Sequence, residues 1–96
     1  MNIEISKEVE SDLINIWEYT FEKWSLTQAD IYYSLLIDGI NSIAKNPNIG
    51  RNYDKVRVEY FGLQVKSHII FYRLKDVETL QIIRILHQRM DIHNKL

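Results

Sequence analysis

The chain contains no cysteine. Neither disulfides nor thiolate metal sites can hold it together, which excludes the staples of small secreted domains and fits a reducing cytoplasm. Its three glycines, Gly39, Gly50 and Gly62, are isolated from one another. A glycine-rich loop for nucleotide phosphates is therefore absent, as is a GxSxG turn for a nucleophilic serine. Nowhere do about eighteen apolar residues follow one another, and Met1-Asn2-Ile3-Glu4-Ile5-Ser6 has neither a basic leader nor a long apolar run. These signals predict a cytoplasmic protein that is neither exported nor membrane-spanning. His68 and His87 have no HExxH spacing and no third ligand at a suitable interval, so no metal and no cofactor are expected.

What is present suffices for one core: 96 residues, 46% of them hydrophobic, predict a single domain over 1–96. A chain this short buries about two-thirds of its unfolded surface, so a tight partner would add much to its stability. The net charge of −1 conceals an asymmetry. Residues 1–50 hold three lysines against eight carboxylates, a balance of −5, whereas residues 51–96 hold nine cations against five carboxylates, +4. A basic second half steers a protein toward a polyanion or an acidic surface, although such clusters are as often a solvated face.

Ile3 and Ile5 alternate with polar residues, predicting a short strand, and Ser6 then offers an oxygen to cap a helix. Val9, Leu13, Ile16, Trp17, Phe21 and Trp24 recur at three- and four-residue steps, predicting an amphipathic helix over about 7–24. Thr27, followed by Asp30, reads as the N-cap of a second helix that ends before Asn46-Pro47. Beyond it, Val56, Val58 and Tyr60 alternate with Arg57, Glu59 and Phe61, and Gly62 marks a turn. A second alternating run covers 63–72, and an apolar third strand covers 80–86, in which Arg84 requires an acidic or carbonyl partner. The fold class is α+β: an N-terminal strand, a helical hairpin and a three-stranded antiparallel meander, with both helices on one face of the sheet.

Three segments together resemble the ParE branch of the ParE/RelE toxin superfamily: Ile16-Trp17-Glu18-Tyr19-Thr20, the loop Asn46-Pro47-Asn48-Ile49-Gly50-Arg51, and Arg84-Ile85-Leu86-His87-Gln88-Arg89-Met90-Asp91. Ser67-His68-Ile69-Ile70-Phe71-Tyr72-Arg73 is similar to the family's central strand, so the resemblance spans nearly the whole chain. It implies a ParE/RelE toxin-like fold and the toxin of a type II toxin–antitoxin (plasmid stabilisation) pair. In the ParE branch it implies a DNA gyrase inhibitor, neutralised by a cognate ParD-like antitoxin with a DNA-binding dimer domain and a segment that folds on the toxin.

The RelE alternative is an endoribonuclease acting on ribosome-bound mRNA. Lys55 and Arg57 resemble the basic residues with which RelE-type toxins grip and cleave message, or are solvated edge charges. Such cleavage needs a proton acceptor, a proton donor and cations for the developing charge, which Arg57, His87 and Arg89 would supply. No tyrosine lies near the terminus, where RelE-type enzymes place one, which favours the ParE branch and a poison that is not an enzyme. The target-binding candidates are Lys55, Arg57, Lys66, His87 and Arg89, with a structural role as the alternative for His87 and a surface bridge to Asp91 as that for Arg89. Trp17, Phe21 and Trp24 are the antitoxin-binding candidates, with core packing the competing reading for Trp17. A third possibility is a regulatory module whose toxicity is lost. If the cations form one surface, Arg57 and Arg89 belong on the same side of the molecule.

Overall fold

Ser6 joins strand to helix in the computed structural model, which describes residues 1–96. The strand β1 spans Asn2–Ile5 and the helix α1 spans Lys7–Lys23; Ser6 Oγ accepts the Val9 N–H at 3.1 Å, satisfying one orphan donor of the first turn. The second helix, α2, covers Leu26–Lys45, and its cap is Ser25 rather than the expected Thr27: Ser25 Oγ accepts the Gln28 N–H at 3.1 Å. Both residues have cap chemistry, and the tight connection closed by Trp24 N–H on the Thr20 carbonyl selects the earlier one.

Five strands form one sheet in the order β1-β5-β4-β3-β2, where β2 is Arg51–Asn52, β3 Phe61–Val65, β4 His68–Asp76 and β5 Thr79–His87. The meander β3-β4-β5 is antiparallel, and β1 lies parallel to β5. Val9, Leu13, Leu36, Ile40 and Ile43 from the helices pack on Ile70, Tyr72, Leu80, Ile82 and Ile85, so both helices cover one face as expected. The other face carries Ile69, Phe71 and Leu86, covered by Tyr53, by Ile92 of the terminal turn α3 (Ile92–Lys95) and by Leu96 just after it.

Three sequence expectations fail around Gly62. The alternating stretch 56–60 is not a strand but a chain of turns, in which Asp54 Oδ1 accepts the Glu59 N–H at 2.7 Å and Glu59 takes a positive φ of 68°. Side-chain capture of main-chain donors overrides the period-2 pattern there, leaving Val58 75% exposed. Gly62 lies inside β3, opposite Phe71, where a Cβ would come within 2.7 Å of the Tyr53 ring. The run 63–72 is also not continuous. Lys66 and Ser67 form a two-residue hairpin turn, Lys66 at φ 53°, so Leu63 pairs with Ile70 and shares the helix-side core with Ile70 and Tyr72 rather than a face with Ile69 and Phe71.

A bulge shapes β5: Phe71 faces Arg84 and Tyr72 faces Ile82, leaving Ile83 unopposed. Beyond Ile82, where β1 stops, groups at and after the start of α1 take over the strand edge. Ser6 Oγ donates to the Ile83 carbonyl at 3.1 Å, and the Asp12 carboxylate accepts the Ile85 N–H at 2.9 Å. No helix is long and apolar enough to cross a membrane.

Candidate functional site

Arg84 has the acidic partner its burial demands. Its Nε and Nη2 each donate to an Asp12 carboxylate oxygen at 2.9 Å, a bidentate pair that pins α1 to β5. This pair holds its guanidinium protonated above its ordinary range. The loop that carries Asn46-Pro47-Asn48-Ile49-Gly50-Arg51 is anchored by Tyr72, a fully buried residue of β4. The Tyr72 hydroxyl donates to the Pro47 carbonyl at 2.6 Å and accepts the Gly50 N–H at 2.9 Å. A Cβ at Gly50 would fall onto that hydroxyl and ring, which is why a glycine stands there.

The five expected target-binding residues fall into two groups. Lys66, His87 and Arg89 come to the end of the sheet where the β3–β4 turn meets the exit from β5, since the Gln88 N–H donates to the Ser67 carbonyl at 2.8 Å and Gln64 Nε2 to Gln88 Oε1 at 2.8 Å. Lys55 and Arg57 lie in the loop between β2 and β3 on the side covered by the terminal turn, where Arg57 Nε and Nη2 both donate to the Leu96 main-chain oxygen, at 2.9 and 2.6 Å. Lys55, Arg57, Lys66 and Arg89 are exposed.

His87 is on the helix side. Its ring stands edge-on to His68 at a centroid separation of 5.2 Å, and His68 Nδ1 accepts the Tyr32 hydroxyl of α2 at 2.7 Å. The Tyr32 oxygen also accepts the Ser67 N–H at 3.1 Å, which leaves the hydroxyl's own hydrogen for His68 Nδ1. His87 Nδ1 accepts the Arg89 N–H at 3.1 Å, so both imidazoles are held as the Nε2–H tautomer. Burial, then the neighbouring His87, lowers the His68 pKa to about 4, with the Asp12 carboxylate opposing. The trio Arg57, His87 and Arg89 is thus not assembled around one point: Arg57 and His87 lie on opposite sides of the sheet.

Trp17, Phe21 and Trp24 lie along the outer flank of the hairpin. Trp17 is half-buried, stacks on Phe21 at 5.4 Å with an 8° interplanar angle, and donates its indole N–H to Asp30 of α2 at 3.0 Å. Trp24 is 75% exposed, and with Phe21, Ile14 and Leu26, also exposed, it leaves an aromatic and aliphatic stripe open to solvent.

Sequence reasoning passed over Arg73, Tyr60, Lys95 and Glu8, which line a cleft of about 570 Å³ between the start of α1 and the chain's terminal turn, together with Ile83, Arg84 and Leu96. The available signal was the parity of Arg73 with Ile69 and Phe71 on β4.

The family model for the ParE toxin of the type II toxin–antitoxin system parDE matches residues 3–92. Toxin ParE1 of Mycobacterium tuberculosis is 38% identical over 92 residues, covering 96% of this chain and 94% of that protein. Toxin ParE1 of Caulobacter vibrioides is 34% identical over 87 residues, covering 91% and 88%. Among solved structures, a chain of the chromosomal ParDE system from P. aeruginosa superposes with a TM-score of 0.79 over 91% of this chain and 95% of that one; at 16% identity this likeness speaks for the fold alone. The strand, the helical hairpin, the five-stranded sheet and these matches together place the chain in the family of ParE toxins of type II toxin–antitoxin systems.

Proposed function

We propose that the chain acts by inhibiting DNA gyrase, without catalysis of its own, and that a cognate antitoxin neutralises it by covering the hairpin stripe. The observation that carries the non-enzymatic reading is the separation of Arg57 from His87 by the sheet. General acid–base cleavage of RNA needs its proton-transfer group and its cation within reach of one phosphate, and here the candidate groups are held apart by Tyr32 and His68 on one side and Leu96 on the other. Lys66 and Arg89, exposed at one end of the sheet, and Lys55 and Arg57, exposed beside the terminal turn, then serve as contacts for a large target rather than as catalysts. The stacked Trp17 and Phe21 with the exposed Trp24 offer rigid aromatic anchors for an antitoxin segment.

Purified chain mixed with gyrase, ATP and relaxed plasmid is expected to abolish supercoiling or accumulate cleaved DNA, and adding the antitoxin is expected to restore activity. No effect at micromolar toxin, with cuts in ribosome-bound message by primer extension, would instead assign a ribonuclease.

A further inference from the structure

The fold treats its two half-buried guanidiniums differently. Arg84 is matched by the Asp12 carboxylate through two parallel bonds. Arg73, which lines the same cleft as Arg84, has only a neutral partner: its Nε donates to Gln81 Oε1 at 2.7 Å, and neither of the chain's two ion pairs includes it. Gln81 therefore orients the guanidinium without compensating its charge, and both terminal amino groups remain without a protein acceptor. A cation held partly out of water is costly unless a counter-charge reaches it.

The surroundings define what that counter-charge is. Arg73 opens into the 570 Å³ cleft, in which Lys95 supplies a second cation and Tyr60, Ile83 and Leu96 supply apolar wall. The main-chain oxygen of Leu96 is engaged by Arg57. Glu8 also lines the cleft, beside the matched Arg84.

We propose that this cleft is a carboxylate receptor, in which Arg73 grips an aspartate or glutamate side chain of an extended segment of a protein partner. The planar fork of Arg73 matches a carboxylate through two parallel bonds, Lys95 adds charge, and Ile83 and Leu96 take an apolar neighbour of the acidic residue. A nucleic-acid strand fits poorly: its closely spaced phosphates require a row of free cations, whereas of the three cations lining this cleft Arg84 is already matched by Asp12, and Glu8 stands beside them. The assignment does not depend on which macromolecule the toxin inhibits.

The test uses the full ¹⁵N-labelled chain and three probes: the peptide acetyl-Gly-Leu-Glu-Leu-Gly-amide, its counterpart with glutamine for glutamate, and decathymidylate. The glutamate peptide is expected to shift the Arg73 Nε–H resonance and the Ile83 and Leu96 amides, and to bind about tenfold tighter than the glutamine peptide, the value of one charge-assisted hydrogen-bonded pair. Arg73→Gln should remove that preference, Arg73→Lys should keep only part of it, and Lys95→Ala, at an exposed site that does not threaten folding, should weaken binding severalfold. Equal binding of the two peptides, no shift at millimolar peptide, or tighter binding of decathymidylate at the same resonances would overturn the proposal. The peptide pair and Lys95→Ala decide the matter even where an Arg73 variant misfolds.

Discussion

His68 receives the Tyr32 hydroxyl hydrogen at Nδ1 and stacks edge-on to His87, so its neutral form is built into the junction between α2 and the sheet. Its pKa is lowered to about 4 from an ordinary 6.5, through burial first and His87 second, with Asp12 pulling the other way. In the unfolded chain the ring takes its proton near 6.5; in the folded chain it stays neutral until about 4. Stability from this site is therefore full above 6.5, declines as pH falls from 6.5 toward about 4, and changes no further below that. Urea midpoints measured across that window should fall more steeply for the native sequence than for His68→Gln, which still accepts from Tyr32 but does not titrate. Parallel curves would mean that His68 is not the group responsible.

The two helices of the hairpin each begin on a side chain that satisfies a main-chain donor. Ser6 and Ser25 hold the two N-termini; at the end of α2 the Asn46 N–H donates to the Ser42 carbonyl, and its side chain caps the following 3-10 turn Pro47–Ile49 by accepting the Asn48 N–H at 3.2 Å. Ser25→Ala should cost about 1 kcal/mol, while Thr27→Ala, inside the exposed first turn, should change stability by roughly 0.5 kcal/mol or less. Thermal unfolding of the two variants side by side distinguishes them, and a larger loss at Thr27 would return the cap to that residue. The caps are local chemistry, so Ser6 was legible in the sequence. Ser25 was missed because Thr27 offers the same chemistry two residues later, and only the connection to α1 separates them.

Across the whole molecule, contacts at and after the start of α1 finish what β1 begins. The first strand pairs with β5 only as far as Ile82, and beyond it Asp12 supplies both an acceptor for the Ile85 N–H and the counter-ion of Arg84, across 72 residues of chain. With side-chain exposures of 25% for Arg84 and 11% for Asp12, this pair is sheltered enough for its loss to matter. Asp12→Ala should cost about 3 kcal/mol, because it strands a partly buried cation as well as a strand-edge donor. Asp12→Asn should fall between it and the native sequence, and urea unfolding followed by Trp17 and Trp24 fluorescence reads both. A loss below about 1 kcal/mol in Asp12→Ala would reduce the pair to an ordinary surface bridge. The helical hairpin holds most of the acidic residues of the first half.

Helix periodicity, the need of Arg84 for an acidic or carbonyl partner and the sequence of strand, helical hairpin and antiparallel meander were legible from the sequence alone, because apolar spacing and capping chemistry act over a few residues. So was the family resemblance, carried by the Asn46–Arg51 loop and the Arg84–Asp91 segment. Only the tertiary structure decided the strand boundaries around Gly62, because a two-residue turn at Lys66 reverses which face each side chain takes, and Asp54 captures main-chain donors that a strand would have used. It also decided that Arg57 and His87 stand on opposite sides of the sheet, and that Arg73, rather than they, lines the cleft beside Lys95 and has no ion-pair partner of its own. Which cations share a surface depends on strand register and on where the tail folds back, and neither is written in the spacing of charges along the chain.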